Sequence, residues 1–106
     1  SIDPDRVWLA GISNGGKGVL RAPDRYRGVI LISPVLDSDF RGKRALVISG
    51  SADTRVPSGY VEDVVARVRT TGAEVSLRMY ANEDHFLFLS SLDRVMNDVG
   101  AWIDGP

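Results

Sequence analysis

Two uninterrupted apolar runs constrain the fold of this chain more than any other feature of its sequence. Residues 28–33 read GVILIS and residues 45–48 read ALVI, so polar residues stand only at the ends of the runs. A strand with one face in water alternates apolar and polar residues, whereas a continuous run is typical of a strand that is covered on both faces. We therefore expect a sheet that lies between two layers of helices.

The segments around these runs alternate between strand and helix patterns. They are a strand at residues 6–10, a helix at 14–21, strands at 28–33 and 45–48, a helix from Pro57 to Gly72, an alternating edge strand at 75–80 and, after a loop at 81–88, a helix with apolar positions from Leu92 to Ile103. Ser90 and Asp93 have the spacing of a capping box for the last helix. This order predicts an α/β fold in three αβα layers with a mostly parallel sheet of about four strands.

Composition excludes several kinds of partner and site. The 106 residues carry 13 basic and 14 acidic side chains, for a formal net charge of -1, so neither nucleic acid nor a membrane is an expected partner. The chain has no cysteine, which excludes disulfides and thiolate metal sites, and no apolar run long enough to cross a bilayer. Residues 1–106 are expected to form a single domain, and their compartment stays open.

Three residues that could perform chemistry follow the carboxyl ends of predicted strands. Ser13 follows the first strand, Asp53 the third and His85 the fourth. Because parallel strands end at the same edge of a sheet, we expect these side chains to share one rim, which is where ligands bind in α/β folds. A serine hydroxyl needs a base to take its proton, and a carboxylate to orient that base. The sequence therefore predicts a functional site at Ser13.

The motifs around these residues resemble those of the α/β-hydrolase superfamily. GISNGG at residues 11–16 is similar to the nucleophile elbow, and PDRYRG at 23–28 to the segment that follows the elbow helix. SGSADTRVP at 49–57 resembles the loop that carries the acid, and NEDHF at 82–86 resembles the loop that carries the base. The resemblance covers nearly the whole chain as the carboxyl-terminal half of the fold. The loop motifs are similar to those of serine esterases and prolyl-oligopeptidase-like peptidases.

This resemblance implies a set of catalytic roles. Ser13 would be the nucleophile, His85 the general base and then acid, and Asp53 the orienting carboxylate. Asp37, which follows the second predicted strand, stays open as a second candidate for the acid. The backbone N–H of Asn14 would be one oxyanion donor. The implied activity is cleavage of a carboxylic ester through an acyl-enzyme, with no metal or organic cofactor. A small-molecule ester or a peptide is the expected substrate, and a peptidase stays open as the alternative.

The family places further strands before the elbow, and one of their loops supplies a second oxyanion donor. The resemblance therefore implies that the chain lacks the family's amino-terminal strands, and that a missing segment or a second chain covers the first strand. A truncated, non-catalytic half that needs a partner chain is a further alternative. Because Pro23 comes early, the elbow helix is also expected to be about one turn shorter than in the family.

A nucleotide-binding module is a remote alternative. Residues 11–17 also fit G-x-x-x-x-G-K, the pattern of a phosphate-binding loop between a strand and a helix. However, Gly18 stands where a serine or threonine would bind magnesium, and no apolar strand ends directly in the aspartate that would support the metal. Lys17 is more simply explained as a solvated helix residue.

Overall fold

The computed structural model describes residues 8–13, 28–34 and 44–105, which contain one sheet and three helices. The elements in chain order are β1 (Trp8–Ile12), β2 (Gly28–Ile32), β3 (Arg44–Gly50), α1 (Ser58–Arg69), β4 (Glu74–Tyr80), α2 (Leu87–Ser90) and α3 (Leu92–Asp104). The strands are parallel and lie in the order β1-β2-β3-β4. The predicted α/β fold with a parallel sheet of four strands is confirmed. The helix predicted at residues 14–21 lies outside the described residues.

The two central strands are buried on both faces, as their uninterrupted apolar sequences predict. Successive side chains of a strand point to opposite faces, so each run contributes to two separate cores. One core packs the sheet against α1 and includes Val29, Leu31, Ala45, Val47, Val61, Val64, Val65 and Val68. The other packs the sheet against α2 and α3 and includes Ile30, Ile32, Leu46, Ile48, Tyr80, Leu87, Val95 and Trp102.

Local sequence explains where α1 begins and ends. The helix follows Pro57, and its buried valines recur at intervals of three and four residues, so they form one stripe facing the sheet. The connection to β4 turns at Gly72, whose φ of 91° is strained for any residue with a Cβ. The guanidinium of Arg69 donates two hydrogen bonds to the carbonyl of Val75, at 3.0 and 2.7 Å, and so ties the helix end to β4.

On the other face, Trp102 of α3 lies against the start of β2. A Cβ at Gly28 would lie 2.9 Å from the Trp102 ring, so a larger residue there would displace the helix. The guanidinium of Arg44 stacks 4.5 Å from the centroid of the same ring and lies 3.8 Å from the carboxylate of Glu74. Trp102 therefore closes the amino-terminal end of the sheet, opposite the end where the strands lead into the predicted site.

Several element boundaries differ from the sequence-based expectation. β1 extends to Ile12 rather than residue 10, and β3 extends from Arg44 to Gly50, because each strand pairs with its neighbour up to the end of the sheet. The loop predicted at residues 81–88 contains the one-turn helix α2, which buries Leu87 against the sheet. Packing across strands, which the sequence pattern does not report, sets these boundaries.

The predicted capping box of Ser90 and Asp93 is wrong. Ser91 occupies the N-cap of α3, and no side chain donates or accepts a capping hydrogen bond there. Instead, the hydroxyls of Ser90 and Ser91 donate to the carboxylate of Glu83, at 3.2 and 2.6 Å. The two serines therefore join the start of α3 to the loop that follows β4.

Leu46→Ala should lower the free energy of unfolding by about 2–5 kcal/mol, because Leu46 is fully buried in β3 and its truncation leaves a cavity. Leu89→Ala is the matched control, since Leu89 is 76% exposed and should change stability by no more than about 0.5 kcal/mol. Urea denaturation followed by circular dichroism measures both. Equal effects of the two variants would contradict this description of the core.

Candidate active site

Ser13 stands on a sharp turn at the carboxyl end of β1. Its φ of 55° lies in the left-handed region, which residues other than glycine seldom adopt. Its backbone N–H donates to the carbonyl of Ile32 at 2.9 Å, so β2 holds the turn in place. A strained serine at the end of a strand is the geometry of a nucleophile elbow, in which the hydroxyl projects above the edge of the sheet.

His85 lies in the loop after β4, residues 81–86, called here the base loop. The imidazole contacts both of the other predicted site residues: Nε2 is 2.7 Å from Oγ of Ser13, and Nδ1 is 2.9 Å from Oδ2 of Asp53. An ionised carboxylate can only accept hydrogen bonds, so this pairing puts the ring proton on Nδ1. Nε2 is then free to accept the hydroxyl hydrogen of Ser13.

Asp53 lies in the loop after β3, residues 51–57, called here the acid loop. It is only 4% exposed, and its two carboxylate oxygens have separate partners. Oδ1 accepts the backbone N–H groups of Arg55 and Val56, both at 2.8 Å, while Oδ2 accepts Nδ1–H of His85. The buried carboxylate is therefore satisfied by hydrogen bonds and held in one orientation.

Asp84, although adjacent to His85 in sequence, does not approach the imidazole. Its Oδ1 accepts the backbone N–H of Phe86 at 2.8 Å, and its side chain is exposed. Asp84 therefore shapes the turn into α2 instead. Asp37, Lys17 and the proposed oxyanion donor Asn14 lie outside the described residues, so what was expected of them stays a prediction.

The acid loop and the base loop approach each other closely at their backbones. The N–H of Ala52 donates to the carbonyl of Glu83 at 2.9 Å, and the N–H of Asn82 donates to the hydroxyl of Ser51 at 2.7 Å. A Cβ at Gly50 would lie 2.1 Å from the Glu83 carbonyl oxygen, so only glycine permits this approach. The separation of the two loops, and with it that of Asp53 and His85, is set by this contact.

Tyr80 ends β4 directly before the base loop and fixes its start. The buried phenol donates to Oδ2 of Asp98 at 2.5 Å, and the guanidinium of Arg94 lies 3.8 Å from the ring centroid. Burial, reinforced by the hydrogen bond to Asp98, raises the pKa of Tyr80 well above its usual range, so the phenol remains a donor. This cluster was not predicted from the sequence. Its signal was the four-residue spacing of Arg94 and Asp98 along one helix face.

Ser33 occupies at β2 the position that Ser13 occupies at β1. It too has a left-handed backbone, with φ 48°, but it is completely buried. Its hydroxyl finds no hydrogen-bond partner within the part of the chain that is described. Within the same part, no group of three or more His, Cys, Asp or Glu is arranged to hold a metal ion, and no helix is both long and apolar enough to span a membrane.

The structure thus brings Ser13, His85 and Asp53 into one chain of two hydrogen bonds, from three segments far apart in sequence. The arrangement can withdraw a proton from the serine hydroxyl onto an imidazole whose other nitrogen is bound to a carboxylate. Their catalytic roles stay predictions.

Comparison with known proteins gives a match at the family level. A sequence model of the prolyl oligopeptidase family matches residues 20–105, a range that includes Asp53 and His85 and begins after Ser13. Among curated proteins, none matches the sequence.

Solved α/β hydrolases share the fold. A protein of unknown function from Agrobacterium tumefaciens, provisionally classed as an α/β hydrolase, is 26% identical with a TM-score of 0.78; the match covers 92% of this chain and 49% of that one. The thermophilic esterase Est2 of the planctomycete Thermogutta terrifontis is 16% identical with a TM-score of 0.72, and the match covers 97% of this chain and 57% of that one. An acylaminoacyl peptidase of Pyrococcus horikoshii is 15% identical with a TM-score of 0.69, and the match covers 83% of this chain and 21% of that one. The chain therefore spans about half the length of the first two proteins and less of the third.

Gly50→Ala should lower the free energy of unfolding by about 1–3 kcal/mol, because the new methyl group would overlap the carbonyl of Glu83 and push the two loops apart. Gly59→Ala provides the control, since nothing lies within 4 Å of a Cβ there, and alanine favours the α1 helix by up to ~1 kcal/mol. Chemical denaturation compares the two. A Gly50→Ala protein as stable as the Gly59→Ala protein would rule out the close approach of the loops.

Proposed function

Since this chain belongs to the prolyl oligopeptidase family and has the α/β-hydrolase fold, we propose that it is a serine hydrolase with Ser13 as its nucleophile. One observation carries the proposal: the hydrogen-bonded chain from Oγ of Ser13 through the imidazole of His85 to the carboxylate of Asp53. The left-handed turn at Ser13 supports it, because that strain is held in place by β2 where a nucleophile is needed.

In the proposed reaction, Oγ of Ser13 attacks the substrate carbonyl while Nε2 of His85 takes its proton. Asp53 remains ionised and stabilises the imidazolium, which then gives its proton to the leaving group and leaves an acyl-enzyme. His85 next takes a proton from water, the resulting hydroxide attacks the acyl carbonyl, and the acid is released as Oγ regains its proton. Each step uses the two hydrogen bonds of the free protein, with no rearrangement of Asp53.

Developing negative charge on the carbonyl oxygen requires backbone donors. We propose the N–H of Asn14 as one of them, because the residue after an elbow nucleophile is placed for this role. A second donor would come from a segment outside the described residues or from another chain. Loss of one such donor costs on the order of a hundredfold to a thousandfold in rate, so the second donor decides how fast the isolated chain can turn over.

Carboxylic esters are the proposed substrates. An ester expels an alcohol more readily than an amide expels an amine, so esters make a smaller demand on the oxyanion donors. The match to the prolyl oligopeptidase family favours the alternative, cleavage of a peptide bond. Comparing turnover of short activated esters with that of peptide amides of the same acyl group separates the two.

A fluorophosphonate probe should label the purified chain at Ser13, because the probe reacts with a serine that is activated by a base. Mass mapping of the labelled peptide identifies the site. Ser13→Ala should abolish labelling, and Asp53→Asn should slow it by roughly a thousandfold or more.

Ser33→Ala is the matched control for this experiment, since Ser33 has the same backbone conformation at the end of a neighbouring strand but is buried. Its labelling should equal that of the original protein. Equal labelling of the Ser13→Ala variant and the original protein would remove Ser13 from the mechanism. A folded chain that is not labelled at all would mean that these residues do not form a working site in this chain alone.

We also propose that a further segment of the same protein covers β1. Among the described residues, β1 is an edge of the sheet and pairs only with β2. Trp8 packs against the core under α3, but Ala10 and Ile12 on the same face are exposed, Ile12 by 43%. An exposed apolar edge strand is a template for pairing with another chain. A non-catalytic half that needs its partner is the alternative if the isolated chain folds and is not labelled.

The isolated 106-residue chain should therefore self-associate through β1, because no other described strand pairs with its outer edge. Ile12→Lys should shift it toward the monomer by placing a charge on that face, whereas Met96→Lys, at an exposed position of α3, should not. Light scattering during size-exclusion chromatography gives the masses. If the original chain is monomeric, or if the two lysine variants change the mass equally, the proposal that a further segment covers β1 is contradicted.

A further inference from the structure

The side chains of Arg55 and Phe86 contact each other beside the predicted triad. The guanidinium carbon of Arg55 lies 4.8 Å from the centroid of the Phe86 ring, a cation–π geometry. The Phe86 ring in turn stands perpendicular to the imidazole of His85, with centroids 5.7 Å apart and planes at 89°. Phe86 is therefore in contact with the base on one side and with a residue of the acid loop on the other.

These contacts form a closed circuit of residues that includes both loops. The backbone N–H of Arg55 donates to Oδ1 of Asp53, and Oδ2 of Asp53 accepts from His85. The circuit therefore runs from Asp53 to His85, to Phe86, to Arg55 and back to Asp53. Two of its contacts are hydrogen bonds and two are contacts of aromatic rings, so restraint on the imidazole comes from two directions.

Phe86 has no role in the cores. It is 49% exposed and belongs to neither buried cluster, unlike Leu87, which is completely buried. Its backbone is nevertheless fixed, since its N–H donates to Asp84. The ring contacts both Arg55 and His85, so each of them contributes to its orientation.

The imidazole has a freedom that Asp53 alone does not remove. A single hydrogen bond at Nδ1 restrains one nitrogen but allows the ring to swing about that contact, and a swing would carry Nε2 away from Ser13. A ring packed against the side of the imidazole opposes that motion. A side chain that holds the packed ring in place extends the restraint to the acid loop.

We propose that Arg55 and Phe86 are positioning residues that act as a clasp between the acid loop and the base loop, fixing the imidazole of His85 where it serves Asp53 and Ser13 together. That the two side chains restrain the imidazole is argued from their contacts alone. That this restraint speeds the reaction at Ser13 rests on the proposed function. The alternative is that Arg55 binds the substrate directly, and the experiment distinguishes the two.

His85 is the chain's one histidine, so selective ¹⁵N-histidine labelling gives an NMR signal that needs no assignment. The observable is the exchange rate of the Nδ1 proton with water in the full chain without substrate. Phe86→Leu and Arg55→Met should each speed this exchange about two- to fivefold, the factor that corresponds to a cation–π contact at an exposed site. Phe86→Tyr, which keeps the ring, should restore the original rate.

Arg67→Met is the matched control for Arg55→Met, because Arg67 is an exposed arginine on α1 away from both loops. It should leave the exchange rate unchanged. The double variant Arg55→Met, Phe86→Leu should exchange no faster than the faster single variant, since both changes open the same clasp. Multiplying effects, or unchanged exchange in both single variants, would overturn the proposal.

The fluorophosphonate reaction at Ser13 adds a kinetic readout. Both single variants should slow labelling at saturating probe by the same two- to fivefold, with no change in the probe concentration that gives half the maximal rate. If Arg55→Met changed only the probe concentration that gives half the maximal rate, the clasp would be rejected and a direct contact of Arg55 with the substrate would be favoured. Absence of labelling in the original chain would count against the proposed function only, because the exchange experiment needs no reaction.

Discussion

The contact between the backbones at Gly50 and Glu83 is the constraint on which the rest of the site depends. β3 and β4 are neighbouring parallel strands, so their loops leave the sheet side by side, and the absence of a side chain at Gly50 lets them close to hydrogen-bonding distance. This approach brings the imidazole of His85 within reach of the carboxylate of Asp53. Ser13 is then placed by the register of β1, which delivers its hydroxyl to the other nitrogen of the same ring.

Much of the fold follows from local sequence. The runs at residues 28–33 and 45–48 predicted buried parallel strands because a strand covered on both faces has no other pattern, and the valine spacing of α1 predicted its buried stripe. The position of Ser13, Asp53 and His85 at one rim follows from the same reasoning, since each comes after a parallel strand. Their catalytic roles were predicted from the resemblance of the motifs alone. The hydrogen bonds among them are those that such roles require.

What the sequence did not predict lies in contacts between segments. Ser90 and Asp93 have the spacing of a capping box, but a carboxylate seven and eight residues earlier, that of Glu83, takes the hydroxyls of Ser90 and Ser91 instead. The need for glycine at residue 50 is equally invisible in the sequence, because it depends on where residue 83 lies. The stacking of Arg55 on Phe86 joins two loops that only the folded sheet brings together.

The order of strands across the sheet has a consequence for how such a site can fail. Asp53 and His85 lie on one continuous stretch of chain around β3 and β4, whereas Ser13 follows β1, which is two strands from β3 and three from β4. Among the described strands, β1 pairs with β2 alone. Edges open locally at a lower free energy than the strands they flank. Fraying of β1 would withdraw the hydroxyl of Ser13 while Asp53 and His85 remain bound to each other. Opening of β1 would therefore separate loss of the hydrogen bond between Ser13 and His85 from loss of the fold.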